Sequence, residues 1–454
     1  MKTSRVHIVL VPGFAGFDAL GQLEYYAGVT PLLRTQNGNE GTPVVLHYFD
    51  NLPTASVATR ALRLRHYLAK RFARGEFQHG DRVALVGHST GGLDIRRLLL
   101  DLDRDKNGAF IEVDGSRNHS FQVPAAELLQ LVQRVAFLSV PQWGTNIASW
   151  VRRRPRRMML AMLRLIVRAA NLSVPNDVEE LAVEGLAYAA RADILRAARD
   201  AIGEMDATAV KGDPARCADA HEAASELELF LRHIASDFAA IDDLAADPHP
   251  DHVSPAHFTK EERRNEQAMW RRCGIDTRSY ATIGKRPYDF KPGEVVPPWE
   301  PLHFRSGPWS RLMPGVRAQT DLVYLCAYRA CAGGPFGISV APRQLVATPL
   351  ETPLGTSQPR LVETWDNDGI VNTASMLWPD AEKTILVDGD HGDIIGHFRL
   401  VEAPPDSMPL RRYHTYDLLR SDSGFTKDTF ERVWRDVLTF CSASGGTVPA
   451  EKVA

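Results

Sequence analysis

The chain has 454 residues, with 44% apolar and 24% charged side chains and a formal net charge of −3. That is an ordinary globular composition, long enough for one large α/β unit with insertions, and the slight acidic balance argues against a nucleic-acid partner. Five scattered cysteines (Cys217, Cys273, Cys326, Cys331 and Cys441) give no disulfide framework or paired-cysteine metal site, and no apolar run reaches the roughly 18–20 residues of a membrane span.

Lys2 and Arg5 precede the apolar run Val6–Val11. That run is too short for the apolar region of a signal peptide, so the expected location is cytoplasmic as the chain stands, or secreted if an export signal has been removed. The run itself reads as a buried central strand, and Pro12-Gly13-Phe14-Ala15-Gly16 as the glycine-rich turn that closes it. A second strand is expected over 44–49, then a helix over 55–72 with Leu62, Leu64, Tyr67, Leu68 and Phe72 as its apolar positions.

Next, Val83-Ala84-Leu85-Val86 enters Gly87-His88-Ser89-Thr90-Gly91-Gly92, and Leu93, Arg96, Arg97 and Leu100 leave it at helical spacing. A strand, Gly-x-Ser-x-Gly and a helix form the layout of a nucleophile elbow. The chain reverses so sharply that side chains at Gly87 and Gly91 would collide with their neighbours. The serine hydroxyl is then held at a helix N-terminus, whose N–H groups favour developing negative charge. With the elbow in place, the turn after the first strand becomes an oxyanion loop, with Phe14 N–H as one donor and Thr90 N–H as the other. The order strand–helix–strand–elbow–helix indicates parallel βαβ units and a doubly wound sheet.

Asp103, Asp105, Asn107 and Gly108, with Asp114 at the twelfth position, satisfy the spacing of a calcium loop, although Asp stands where Glu is usual. A polar surface hairpin is the competing reading. Another strand is expected over 135–140, ending at Pro141-Gln142-Trp143-Gly144. From 150 to 273 strand-like runs give way to Ala, Leu, Arg and Glu in helical period, which reads as a helical cap inserted over the site. Its start, with Arg152, Arg153, Arg154, Arg156 and Arg157 ahead of the Met- and Leu-rich 158–167, suits either transient contact with a lipid interface or a packed helix with a basic outer side. Trp143 and 158–167 are candidates for lining an acyl pocket, or for core. The α/β core is expected over 1–149 and 274–454, interrupted by a loop-rich insertion at 286–359. Strand character returns at 279–284 and 383–387, and an amphipathic helix over 426–440 closes the chain.

A serine alcohol needs an adjacent base, and the base needs an orienting acid. After Asp368 the histidines are His391, in a glycine-flanked loop directly after a strand, His397 behind an Ile-Ile pair, and His414 in a polar tract. The loop position favours His391. Asp368 precedes Gly369 in a strand-end turn, and Asp366, two residues upstream, competes with it for the role of acid.

These residues carry a resemblance. Pro12-Gly13-Phe14-Ala15-Gly16, Gly87-His88-Ser89-Thr90-Gly91-Gly92, the run from Asn367-Asp368-Gly369 to Met376, and Asp390-His391-Gly392-Asp393-Ile394-Ile395-Gly396 make the chain similar to α/β-hydrolases of the true-lipase branch, the thermostable bacterial lipases in particular. The resemblance covers about a third of the chain. It implies an α/β-hydrolase fold with a mostly parallel sheet, Ser89 as nucleophile, Asp368 as acid and His391 as base; no cofactor is expected to be required. The chain departs from the pattern in having Gly87 where those lipases commonly have alanine and Pro12 where they have histidine. Their zinc-binding insertion has no counterpart, and their calcium site is echoed only by Asp393. The expected activity is carboxylic-ester hydrolysis on an ester or lipid substrate through an acyl-enzyme. An acyltransferase or phospholipase using the same intermediate, and a catalytically inactive binding module, are the alternatives. Nothing in the sequence sets an oligomeric state.

Overall fold

The computed structural model describes residues 4–14, 19–20, 23–36, 43–78, 80–114, 120–153, 239–246, 254–287, 322–332, 348–349, 362–381, 384–398, 419 and 421–443. In chain order the main-sheet strands are β1 (Val6–Val11), β2 (Val44–Tyr48), β3 (Arg82–His88), β4 (Val132–Leu138), β5 (Asp276–Ile283), β6 (Thr348–Pro349) and β7 (Ile385–Asp388). The helices are α1 (Val29–Gln36), α2 (Val57–Ala73), α3 (Thr90–Asp105), α4 (Ala125–Leu131), α5 (Asn146–Arg153), α6 (Ala239–Leu244), α7 (Lys260–Cys273), α8 (Leu322–Ala332) and α9 (Lys427–Ser442).

The seven strands lie in the order β6-β7-β5-β4-β3-β1-β2, with every pair parallel. A strand that is buried on both faces needs apolar residues at consecutive positions, and β1, β3 and β4 supply them. Their alternate side chains divide between two cores. Val9, Val11, Val83, Leu85, Val135 and Phe137 face the layer holding α2, α3, α4 and α7. Ile8, Leu10, Ala84, Val86, Ala136 and Leu138 face α1 and α9, where Trp434 and Phe430 are buried. A sheet covered by helices on both faces, with a strand–elbow–helix at its centre, is the α/β-hydrolase fold.

The expected cap falls mainly outside the described residues: 154–238 and 247–253 lie beyond them. The C-terminal part of that segment packs on the sheet. Met269 and Trp270 of α7 are buried in the same cluster as Phe137, and a capping box at Thr259 and Glu262 starts that helix. Within the loop-rich 286–359 segment, Leu322–Ala332 forms α8, with Tyr324, Tyr328 and Cys331 buried. Ten of its eleven residues are apolar, Arg329 being the exception, so no 3.6-residue period separates it from irregular chain. Among the described residues, no helix is long and apolar enough to cross a membrane.

Candidate active site

Ser89 stands between β3 and α3 with φ 54° and ψ −130°, a backbone region that L-residues rarely occupy. The cost is accepted because the neighbouring backbone leaves no other course. A Cβ on Gly91 would lie 2.3 Å from Val11 O, so only glycine lets α3 start this close to β1. Ser89 N donates to Leu138 O at 2.9 Å, tying the elbow to β4.

Asp368 lies in the turn 366–372 and is fully buried. A buried carboxylate needs its lone pairs filled, and all four are. Oδ1 accepts from Ile370 N at 3.0 Å and Val371 N at 2.7 Å. Oδ2 accepts from Thr282 Oγ1 at 2.6 Å and His391 Nδ1 at 2.7 Å. Because the carboxylate only accepts, His391 carries its proton on Nδ1 and leaves the Nε2 lone pair free. Thr282 must likewise donate to Asp368, so Ser139 Oγ, 2.8 Å away, donates to Thr282. Ser139 itself has φ 51° at the end of β4 and is wholly buried.

The His391 loop meets the elbow directly. His88, the residue before Ser89, donates from Nε2 to His391 O at 3.1 Å, and the two imidazole rings lie 4.5 Å apart. Burial holds the His88 imidazole well below the usual histidine range, against the smaller effect of its bond to the His391 carbonyl, and so keeps it neutral. Among the described residues, no hydrogen bond joins Ser89 Oγ to His391. Such bonds commonly close only with substrate in place.

Phe14 lies in the turn after β1, and Thr90 is the first residue of α3. The turn is held by a residue that the sequence did not single out. Arg60 of α2, fully buried, donates to Pro12 O at 2.7 Å and Gly13 O at 3.0 Å and pairs with Asp94 of α3 at 2.8 Å. In a trans peptide the C=O and the next N–H point in opposite directions, so anchoring the Gly13 carbonyl on Arg60 turns Phe14 N–H away from it. Gly13 leaves no space for a side chain: a Cβ there would lie 2.6 Å from Ser89 Cβ and 2.7 Å from the Tyr25 hydroxyl.

The competitors have other partners. Asp366 pairs with Arg286 at 2.9 Å and accepts from Glu363 N. His397 Nε2 meets Tyr25 O at 3.2 Å. His414 and 158–167 lie outside the described residues. Trp143 is half-buried beneath the Arg263 guanidinium, 4.3 Å from its ring centre.

Two residues of the calcium pattern are held in ion pairs within the protein. Asp103 and Asp105 fall on the last turn of α3, where residues two apart point to nearly opposite sides of the helix. Asp103 pairs with Lys106 and Arg272, and Asp105 with Arg65 and Arg104. Asp114 ends the first strand of a surface hairpin, Phe110–Asp114 with Ser120–Pro124, and Asn107 lies in the turn before it. Among the described residues, no three His, Cys, Asp or Glu side chains are grouped to hold a metal.

No family model matches the chain, and no curated protein matches it. Among solved structures it is similar to EstA from Clostridium botulinum (13% identity, 98% of this chain and 89% of that one, TM-score 0.41). It is also similar to lipase 1 from Pelosinus fermentans (16% identity, 96% and 99%, TM-score 0.41) and to Staphylococcus hyicus lipase (13%, 96% and 97%, TM-score 0.37). At these scores the likenesses carry no argument about activity. The parallel sheet order and the strained strand–serine–helix turn give this chain the α/β-hydrolase fold.

Proposed function

We propose that the chain is a serine carboxylic-ester hydrolase of the lipase/esterase type, acting through an acyl-enzyme on Ser89. The observation that carries this reading is the His391 imidazole, oriented by Asp368 at 2.7 Å, with a free Nε2 in the loop packed on the nucleophile elbow. In the proposed mechanism His391 Nε2 takes the Ser89 proton as Oγ attacks the ester carbonyl, and Asp368 stabilises the imidazolium. Phe14 N–H and Thr90 N–H receive the oxyanion. His391 returns the proton to the departing alcohol, and then activates the water that releases the acid.

Ser89→Ala is expected to lower kcat on p-nitrophenyl esters roughly 10⁴-fold or more. Near wild-type turnover in that variant would overturn the reading. A labelled alcohol acceptor separates hydrolysis from acyl transfer, and a panel of esters of rising chain length, with and without detergent, sorts lipase, phospholipase and short-ester activity. Within 150–273, the part ahead of α6 is proposed as the cap, its basic, Met-rich start meeting a lipid interface, since α6 and α7 pack into the core beneath the sheet. A rate that rises above the critical micelle concentration of a long-chain ester is its signature.

A further inference from the structure

The oxyanion turn and the base loop reach the nucleophile from opposite ends of the sequence, and something must hold their separation. Both backbone groups of Gly13 are bonded: its C=O accepts from Arg60, and its N–H donates to the Tyr25 hydroxyl at 2.7 Å. Both backbone groups of His391 are bonded too. Its N–H donates to Asp368 O at 3.0 Å, and its C=O accepts from His88. Tyr25 Oη and His88 Nδ1 are themselves 2.7 Å apart, which joins the two sets.

The donor directions follow from chemistry. A carbonyl only accepts, so His88 carries its proton on Nε2, and in the neutral ring Nδ1 is then an acceptor. Tyr25 therefore donates to His88, and its oxygen lone pair takes the Gly13 N–H. Every link has one donor and one acceptor, and none can be reversed without leaving a buried group unpaired.

We propose that Tyr25 and His88 are a positioning pair. The chain Gly13 N–H to Tyr25 Oη, Tyr25 O–H to His88 Nδ1, and His88 Nε2–H to His391 C=O sets the oxyanion turn and the base loop at a fixed distance across Ser89. This rests on the serine-hydrolase reading. The pair touches no reacting atom and works through the backbone of Gly13 and His391. Tyr25 also packs edge-on against Tyr26 and His88, with ring centres 5.1 and 5.6 Å apart. A purely packing role would survive loss of the hydroxyl, and a relay would not.

The test compares Tyr25→Phe, His88→Leu and His88→Gln with wild type, each normalised to the sites titrated by a fluorophosphonate. Tyr25→Phe and His88→Leu are expected to lower kcat per titrated site about 10–100-fold with little change in KM, as expected when buried partners are left unpaired. Phenylboronic acid, whose adduct with the serine is tetrahedral, should bind more weakly by a similar factor. His88→Gln offers an amide oxygen towards Tyr25 and an amide N–H towards His391 O, and should recover most of what His88→Leu loses. Wild-type kcat per site in Tyr25→Phe, or a glutamine variant no better than leucine, overturns the proposal. Should Tyr25→Phe not fold, the glutamine–leucine comparison decides it in the same terms. If wild type itself is not labelled at Ser89, the serine-hydrolase reading fails rather than the relay.

Discussion

Thr282 donates a 2.6 Å hydrogen bond to Asp368 Oδ2, the same oxygen that accepts from His391 Nδ1. Thr282 lies near the end of β5, so the Asp368 carboxylate is oriented by the sheet itself as well as by its own turn. Thr282→Val removes that donor and leaves Ser139 Oγ without its acceptor. Turnover should fall about 10–100-fold, the range for losing a hydrogen bond to a charged group, and Thr282→Ser should restore most of it. Steady-state kinetics of the two variants check this, and equal losses would show that the hydroxyl is irrelevant.

The buried Arg60–Asp94 pair makes two separable predictions. Removing one partner of a buried ion pair strands the other, so Arg60→Met should cost about 3–5 kcal/mol of stability. Arg60→Met with Asp94→Leu should recover stability but not turnover, because the Pro12 and Gly13 carbonyls still lack their donor. Urea unfolding and kcat on one preparation separate the effects. Recovery of both would mean that Arg60 serves the fold alone.

At the other end of β1, His7 Nδ1 lies 2.8 Å from His47 Nε2, and His7 Nε2 lies 3.1 Å from Asp81 Oδ2, with Arg5 bonded to the same carboxylate. Burial, aided by Arg71, His7 and Arg5, pulls His47 down to about 4. Burial pushes Asp81 up, but bonds from Gln78 N, Arg5 and His7 outweigh it and bring it down to about 2. Both groups are depressed in the fold, so the unfolded chain binds protons first as pH falls. The His47 contribution, at most about 3 kcal/mol, is full above its unfolded value of 6.5 and is lost as pH falls through about 4. The Asp81 contribution is lost at lower pH, between its unfolded value of 3.8 and about 2. Melting temperature should therefore drop between pH 6.5 and 4, and His47→Gln should flatten that slope. Parallel curves for the two proteins would contradict the assignment.

The sheet was readable in the sequence because β1, β3 and β4 are apolar runs ending in turn residues. Ser89, Asp368 and His391, the proposed triad, each sit in a short, chemically distinctive turn that stands out in the sequence. Arg60, Thr282, Ser139 and Tyr25 carried no such mark. Each meets the site through a partner far away in sequence, 143 residues for Ser139 and Thr282, and only the folded sheet brings them together. Arg60 and Thr282 look like ordinary helix and strand residues, and Tyr25 and Ser139 lie in bends outside any element. The first half of the calcium spacing falls on the helical backbone of α3, which points Asp103 and Asp105 to different sides. Helix α8 was missed because its nearly uniform apolar sequence shows no helical period.

The central claim is that Ser89 is an activated nucleophile. Incubating the protein with a fluorophosphonate and mapping the adduct by mass spectrometry tests it most directly. One adduct on Ser89, absent in Ser89→Ala and much slower to form in His391→Ala, is the expected result. No adduct on the folded protein, or labelling of another serine that persists in Ser89→Ala, would contradict it.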